Sequence, residues 1–126
     1  MARMRIVDQI LGWCLVLLGC VHNFVAAPLM YDQLSARALW FVSAGLALWY
    51  AGFINLLRSY SAEPTRLLRT FCILTNLSML AFVLTYAAVR GNWAAPESLA
   101  LIGTVAALTA FSVVAGAARS RASSTG

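Results

Sequence analysis

Four long apolar stretches, separated by short polar turns, constrain the fold of this chain more than any other feature. They cover about residues 7–27, 36–57, 70–90 and 99–118. Each is close to the roughly 20 residues that a helix needs to cross the hydrocarbon core of a bilayer. The chain has 126 residues, 62% of them hydrophobic and 10% charged, whereas soluble domains are about 45–50% apolar and about 25% charged. A soluble domain of this size could not bury so much apolar surface.

The sequence therefore predicts an all-α membrane protein, a bundle of four transmembrane helices that forms a single domain over residues 1–126. We call the four stretches the first to the fourth span. The polar and basic residues 119–126 are predicted to form a flexible tail. Because the turn between the first two spans is short, these two spans should pack as an antiparallel hairpin.

The arginines indicate how the spans cross the membrane. All nine basic residues are arginine, and seven of them lie at the N-terminus, in the second turn or at the C-terminus. Arg37 and Arg90 lie on the opposite side. Cytoplasmic turns of membrane proteins carry an excess of basic residues, so both termini are predicted to be cytoplasmic, in a bacterial inner membrane. Arginines at helix ends fix topology, so the basic balance does not indicate a nucleic-acid partner.

One face of the first span differs from the others. Between Ile6 and Pro28, the following residues share that face at helical spacing: Asp8, Gly12, Leu15, Gly19, His22 and Ala26. In lipid, such a small and polar stripe has to face protein, because only protein can pair its polar groups. The first span therefore needs partner helices, and Pro28, which fits poorly inside a helix, is predicted to end it.

Glycines seven residues apart occur in both of the first two spans. They are Gly12 and Gly19 in the first span, and Gly45 and Gly52 in the second. Both pairs are centred at about the same depth, so an antiparallel hairpin should bring Gly12 opposite Gly52 and Gly19 opposite Gly45. This register predicts a close approach of the two backbones, because glycine leaves no side chain between them.

Three polar side chains are predicted to form an inner layer, near the cytoplasmic side. They are Asp8, Asn55 and Asn76. The two asparagines are predicted to be hydrogen-bond partners between helices. Asp8 lies near the start of the first span, where a carboxylate favours the positive end of the helix dipole. The glycine register also places Asp8 level with Asn55, so a carboxylate–amide hydrogen bond is predicted.

Four further polar side chains are predicted to form an outer layer, one from each span. They are His22, Ser43, Tyr86 and Thr104, with Thr85 beside Tyr86. We expect His22 to face the interior of the bundle and to meet Tyr86 or Thr104. The alternative is that His22 bonds a neighbouring helix as a neutral ring and that each hydroxyl bonds the backbone of its own helix. Together, the two layers are the candidate ligand-binding residues.

The sequence does not indicate a metal centre or a catalytic set. One histidine cannot supply two haem ligands, and it makes no convincing tetrahedral zinc site with the scattered Cys14, Cys20 and Cys72. The cysteines form no C-x-x-C pair and are expected to pack as apolar residues. Four short spans resemble the small multidrug transporters in architecture, but those proteins place an essential glutamate in the middle of their first helix. The first span has no glutamate, so no family is assigned.

Three functions are consistent with these features. The first is a structural or ligand-binding bundle that holds a lipid, a quinone or another apolar molecule and has no other cofactor. Its partners would be membrane lipid and either further copies of itself or a larger membrane complex. The second is a small proton-coupled transporter that uses His22 and Asp8. The third is a membrane enzyme with His22 as acid or base and Tyr86 as its partner, for which no nucleophile or paired carboxylates are found.

Overall fold

The computed structural model describes the backbone of residues 2–123 and the side chains of residues 3–114, and its regular elements in this part of the chain are all helices. Helix α1 (Ala2–Val21) continues through a π-helical turn (His22–Ala26) into the short α2 (Ala27–Met30). The other helices are α3 (Ala36–Tyr60), α4 (Arg66–Arg90) and α5 (Pro96–Ser123). Below, the first span means α1, the π-helical turn and α2 together.

Four helical segments are long and apolar enough to cross a membrane. They are Arg3–Met30, Ala36–Tyr60, Arg66–Arg90 and Pro96–Val114. The predicted four spans and the all-α class are thus confirmed, with each helix somewhat longer than its predicted span. Helix α5 extends to Ser123, into the segment expected to be a tail, and residues 124–126 lie outside the described residues.

The ends of the helices follow local sequence signals. Ser35 caps α3, because its hydroxyl accepts a hydrogen bond from the Ala38 amide, and Thr65 caps α4 in the same way. Such caps satisfy amides that the first helical turn leaves without a partner. Gly91 ends α4 with a φ of 65°, in the left-handed region that glycine adopts without strain.

The first span does not end at Pro28 as predicted. The Ala27 amide donates to the carbonyl of His22, five residues back, and α2 then runs on to Met30. In an α-helix the ring of Pro28 would clash with the carbonyl four residues earlier. The wider π-helical turn immediately before the proline lets the helix axis continue past it.

The four spans form a ring in which each packs against two neighbours. The first span packs against α3 and α5, and α4 packs against the same two helices from the other side. With short turns between consecutive helices, this is an antiparallel four-helix bundle. Its axis is filled by apolar side chains from three of the spans, namely Leu15, Leu48, Ala51, Val105 and Leu108.

The glycine register between the first span and α3 is confirmed. A Cβ atom added at Gly19 would lie 2.8 Å from the carbonyl oxygen of Gly45. One added at Gly52 would lie 3.1 Å from the carbonyl oxygen of Gly12. The indole of Trp49 lies over Gly19, and its Nε1 donates to the Val16 carbonyl at 3.1 Å. The two backbones therefore touch along this seam, as the seven-residue spacing predicted.

Candidate functional site

Five polar side chains form a connected network inside one end of the bundle. They are Asp8, Asn55, Arg58, Cys72 and Asn76, and all five are buried. They come from α1, α3 and α4. We call this end, where α1 and α4 begin and α3 ends, the basic end of the bundle, because most of the arginines lie there. The network is the candidate site, since polar groups buried in a membrane helix bundle are costly unless paired and often functional.

An ion pair joins the first span to α3 within this network. Arg58 Nη2 donates to Asp8 Oδ1 at 2.6 Å. Arg58 Nε donates to the Sγ atom of Cys72 at 3.2 Å, which extends the contact to α4. Burying a charge away from water carries a desolvation penalty of about several kcal/mol, unless an opposite charge and further hydrogen bonds compensate for it. The two opposite charges neutralise each other, so the pair can remain ionised in an apolar surrounding.

Two asparagines continue the network from α3 to α4. Asn55 Nδ2 donates to Asn76 Oδ1 at 2.7 Å, and Asn76 Nδ2 donates back to Asn55 Oδ1 at 3.0 Å. The Cys72 thiol also donates to Asn55 Oδ1, at 3.1 Å. In addition, Asn55 Nδ2 donates to the Ala51 carbonyl of its own helix. Asn76 Nδ2 donates to the Leu108 carbonyl of α5 at 3.3 Å.

The network therefore ties all four spans together, from Asp8 in α1 to the Leu108 carbonyl in α5. The donors and acceptors described above satisfy one another, so the arrangement is suited to holding helices in register. Among residues 3–114, no group of three or more His, Cys, Asp and Glu side chains could hold a metal ion. The network is best suited to a structural role, in which the Asp8–Arg58 ion pair fixes α1 against α3.

The predicted inner layer is brought together, with one change of partner. Asn55 and Asn76 bond each other as predicted, but Asp8 pairs with Arg58 and not with Asn55. The guanidinium carries a full charge and so compensates a buried carboxylate far better than an amide. The sequence indicates Arg58 only as a topology signal and predicts Cys72 only as an apolar residue. Arg58 lies three residues after Asn55 on the same helix face, which was the signal that could have found it.

The predicted outer layer is not assembled. Ser43 Oγ donates to the Trp40 carbonyl, Thr85 Oγ1 to the Ala81 carbonyl, and Thr104 Oγ1 to the Ala100 carbonyl. Each hydroxyl thus bonds the backbone of its own helix, which was the alternative interpretation. Tyr86 is 45% exposed, and the guanidinium of Arg90 lies 5.8 Å from its ring centroid.

His22 meets α3 rather than the residues expected. Its Nε2 atom lies 2.9 Å from the Phe41 carbonyl oxygen, and its ring stacks on the Phe41 ring at 4.0 Å between centroids. A carbonyl oxygen can only accept, so Nε2 must carry the proton and donate it. The prediction that His22 meets Tyr86 or Thr104 is therefore wrong. His22 joins the first span to α3 at the opposite end from the Asp8–Arg58 pair.

Replacing His22 with phenylalanine should lower the free energy of unfolding by about 1 kcal/mol, the usual scale of a hydrogen bond between membrane helices. The ring stacking on Phe41 can persist, so only the bond to the carbonyl is lost. Reversible unfolding in mixed micelles would measure the change. Tyr86→Phe is the matched control on an exposed tyrosine and should change stability by less than about 0.5 kcal/mol. Equal losses in both variants would contradict a specific role for the His22 bond.

Four helices long and apolar enough to cross a membrane make this chain a small helical integral membrane protein. In comparisons with known proteins, no family model, no curated protein and no solved structure matches the chain.

Proposed function

We propose that this protein is a structural membrane bundle that holds a lipid, a quinone or another apolar molecule on its outer surface. The observation that carries the proposal is the filled interior. Leu15, Leu48 and Leu108 meet on the bundle axis. The buried polar side chains at the basic end hydrogen-bond to one another. An apolar ligand would therefore lie against the outside of the helices, where large apolar side chains are exposed.

The outer surface offers a shallow apolar groove for such a ligand. It has a volume of about 110 Å³ and lies between the first span and α5. Its lining residues are Met4, Ala110, Phe111 and Val114. A depression between two helices gives a chain-like molecule more contact than a smooth helix face, and dispersion contacts add up over many atoms.

The alternative of proton-coupled transport through His22 and Asp8 receives less support. Leu15 lies midway between them in sequence, is 1% exposed and belongs to the apolar core. Asp8 is held by Arg58, and His22 donates to a backbone carbonyl. A proton path would have to cross the packed core, so we do not favour it. The same hydrogen bond occupies His22 Nε2, which weakens the case for an enzyme with His22 as acid or base.

The most direct test is to identify the molecules that remain bound after mild purification. The full chain would be extracted in a gentle detergent and examined by native mass spectrometry, followed by chemical analysis of what it releases. A lipid or quinone retained at a fixed ratio would support the proposal. A chain that releases no apolar molecule and is equally stable after complete delipidation would contradict it.

Orientation in a bacterial inner membrane is part of the proposal. The excess of arginines at the basic end supports cytoplasmic termini. A fluorescent protein that folds only in the cytoplasm, fused to the C-terminus, should fluoresce. Alkaline phosphatase, which is active only in the periplasm, should be inactive at the same position. The opposite pair of results would contradict the proposed orientation.

We also propose self-association, either as a homo-oligomer or within a larger membrane complex. Helix α3 presents large aromatic side chains to its surroundings: Trp40 is 78% exposed and Tyr50 is 66% exposed. These faces would pack against another copy or another membrane protein. Mass measurement in nanodiscs would test this idea, and a single-chain mass at every protein concentration would contradict the homo-oligomer.

A further inference from the structure

The net charge of +5 is concentrated at one end of the bundle. The arginines at the basic end are Arg3, Arg5, Arg58, Arg66, Arg69, Arg119 and Arg121, and the acidic residues there are Asp8 and Glu63. The other end carries Arg37 and Arg90 with Asp32 and Glu97, which balance. Asp8 and Arg58 neutralise each other inside the network, whereas Arg3, Arg5 and Arg66 are exposed at the basic end. Exposed positive charge of this kind attracts anions.

The apolar groove between the first span and α5 opens at this same end. Met4 belongs to the first turns of α1, and Val114 lies in the part of α5 that returns to the basic end. Met4 is 51% exposed and Val114 is 50% exposed, so the groove is accessible from the lipid. An apolar groove next to unbalanced positive charge at a helix end matches an amphiphile with an anionic head.

Two arginines flank Met4, the groove residue of α1. Arg5 is held in place, because its Nε and Nη2 atoms donate to the Ser59 and Tyr60 carbonyls at 2.8 and 2.9 Å. Its remaining N–H groups are not used by these two bonds. Arg3 is exposed and, at 100° per residue, lies on the other side of Met4 from Arg5. A guanidinium offers a planar pair of donors that fits two phosphate oxygens.

We propose that this groove binds one anionic phospholipid. A segment of an acyl chain lies against Met4, Phe111 and Val114, and the headgroup phosphate accepts hydrogen bonds from Arg3. Basic pockets between membrane helices at the cytoplasmic side are suited to anionic headgroups. A zwitterionic lipid fits the groove equally well but lacks the net negative charge, so the basic end supplies the selectivity. This inference rests on the proposed function and names the class of lipid.

The test compares two phospholipids that have the same acyl chains. The full chain in detergent is titrated with phosphatidylglycerol or phosphatidylcholine, and the bound fraction is measured by native mass spectrometry. Phosphatidylglycerol should bind at least about fivefold more tightly, the scale expected for one arginine near a headgroup. Arg3→Gln should reduce this preference measurably, and Arg3→Lys should retain more of it than Arg3→Gln. Arg37→Gln, at the other end, is the matched control and should leave the preference unchanged.

A second pair of variants tests the groove separately from the charge. Ala110→Trp and Val114→Trp fill it with a large side chain on an exposed face, and circular dichroism would confirm that each variant folds. Both should weaken the binding of the two lipids at least about fivefold, because the acyl segment loses its site.

Three results would overturn the inference while leaving the proposed function standing. They are equal binding of the two lipids, an unchanged preference in Arg3→Gln, or unchanged binding in both tryptophan variants. Failure to bind either lipid would contradict the proposed surface binding of lipid as well. The two proposals can therefore fail separately.

Discussion

Replacing Arg58 with leucine should lower the free energy of unfolding by about 3–5 kcal/mol, because Asp8 would remain buried without an opposite charge. Asp8 is 6% exposed, and its Oδ1 atom lies 2.6 Å from Arg58 Nη2. The loss also removes the donor that reaches Cys72. Reversible unfolding in mixed micelles, followed by circular dichroism, would measure the effect.

The matched control for this variant is Arg37→Leu. Arg37 is an exposed arginine of the same helix, at its other end. Its replacement should change the free energy of unfolding by less than about 0.5 kcal/mol. If Arg58→Leu were as mild as Arg37→Leu, the ion pair would not be stabilising the bundle and the interpretation of the network would be wrong.

Replacing Gly19 with leucine should lower the free energy of unfolding by about 3 kcal/mol or more, since overpacking of a tight interface commonly costs 1–3 kcal/mol or above. The first atom of the new side chain would lie 2.8 Å from the Gly45 carbonyl oxygen, which belongs to the backbone and cannot move aside alone. The first span and α3 would have to separate along the whole seam. The same unfolding measurement applies.

Gly103→Leu is the control for the glycine seam. Gly103 lies within α5, and a Cβ atom added there meets nothing within 4 Å. Leucine is a better helix former than glycine, so this variant should be unchanged or more stable by up to about 1 kcal/mol. Comparable destabilisation by Gly19→Leu and Gly103→Leu would show that the seam is not the cause.

The sequence was sufficient for the spans and the seam because both depend on spacing. Apolar length decides which segments can cross a bilayer, and glycines seven residues apart on two antiparallel helices leave one register in which they meet. The pairing of Asn55 with Asn76 was predictable for a similar reason. Two amides at one depth in a membrane bundle satisfy each other better than lipid can.

The partner choices were not predictable in the same way. Arg58 could either face the headgroups or turn inward, and sequence spacing does not distinguish the two rotamers. The inward rotamer of Arg58 can be buried because Asp8 Oδ1 lies 2.6 Å from Arg58 Nη2. The packing of α1 against α3 sets this distance, and sequence spacing does not show it. Depth in the membrane alone predicts the wrong neighbours for His22. The π-helical turn before Pro28 breaks the regular spacing of about 100° that a helical wheel assumes. The contact between His22 and Phe41 depends on how the helices pack, which a helical wheel does not show.

A buried ion pair between α1 and α3 holds the four-helix bundle together at its basic end. A double-mutant cycle with Asp8→Leu, Arg58→Leu and the double variant tests it most directly. Each single variant should lose about 3–5 kcal/mol, whereas the double variant should lose less than either, because no unpaired charge remains. These losses give a coupling energy of at least about 3 kcal/mol. Losses that simply add would show that the two residues act independently, and would contradict the claim.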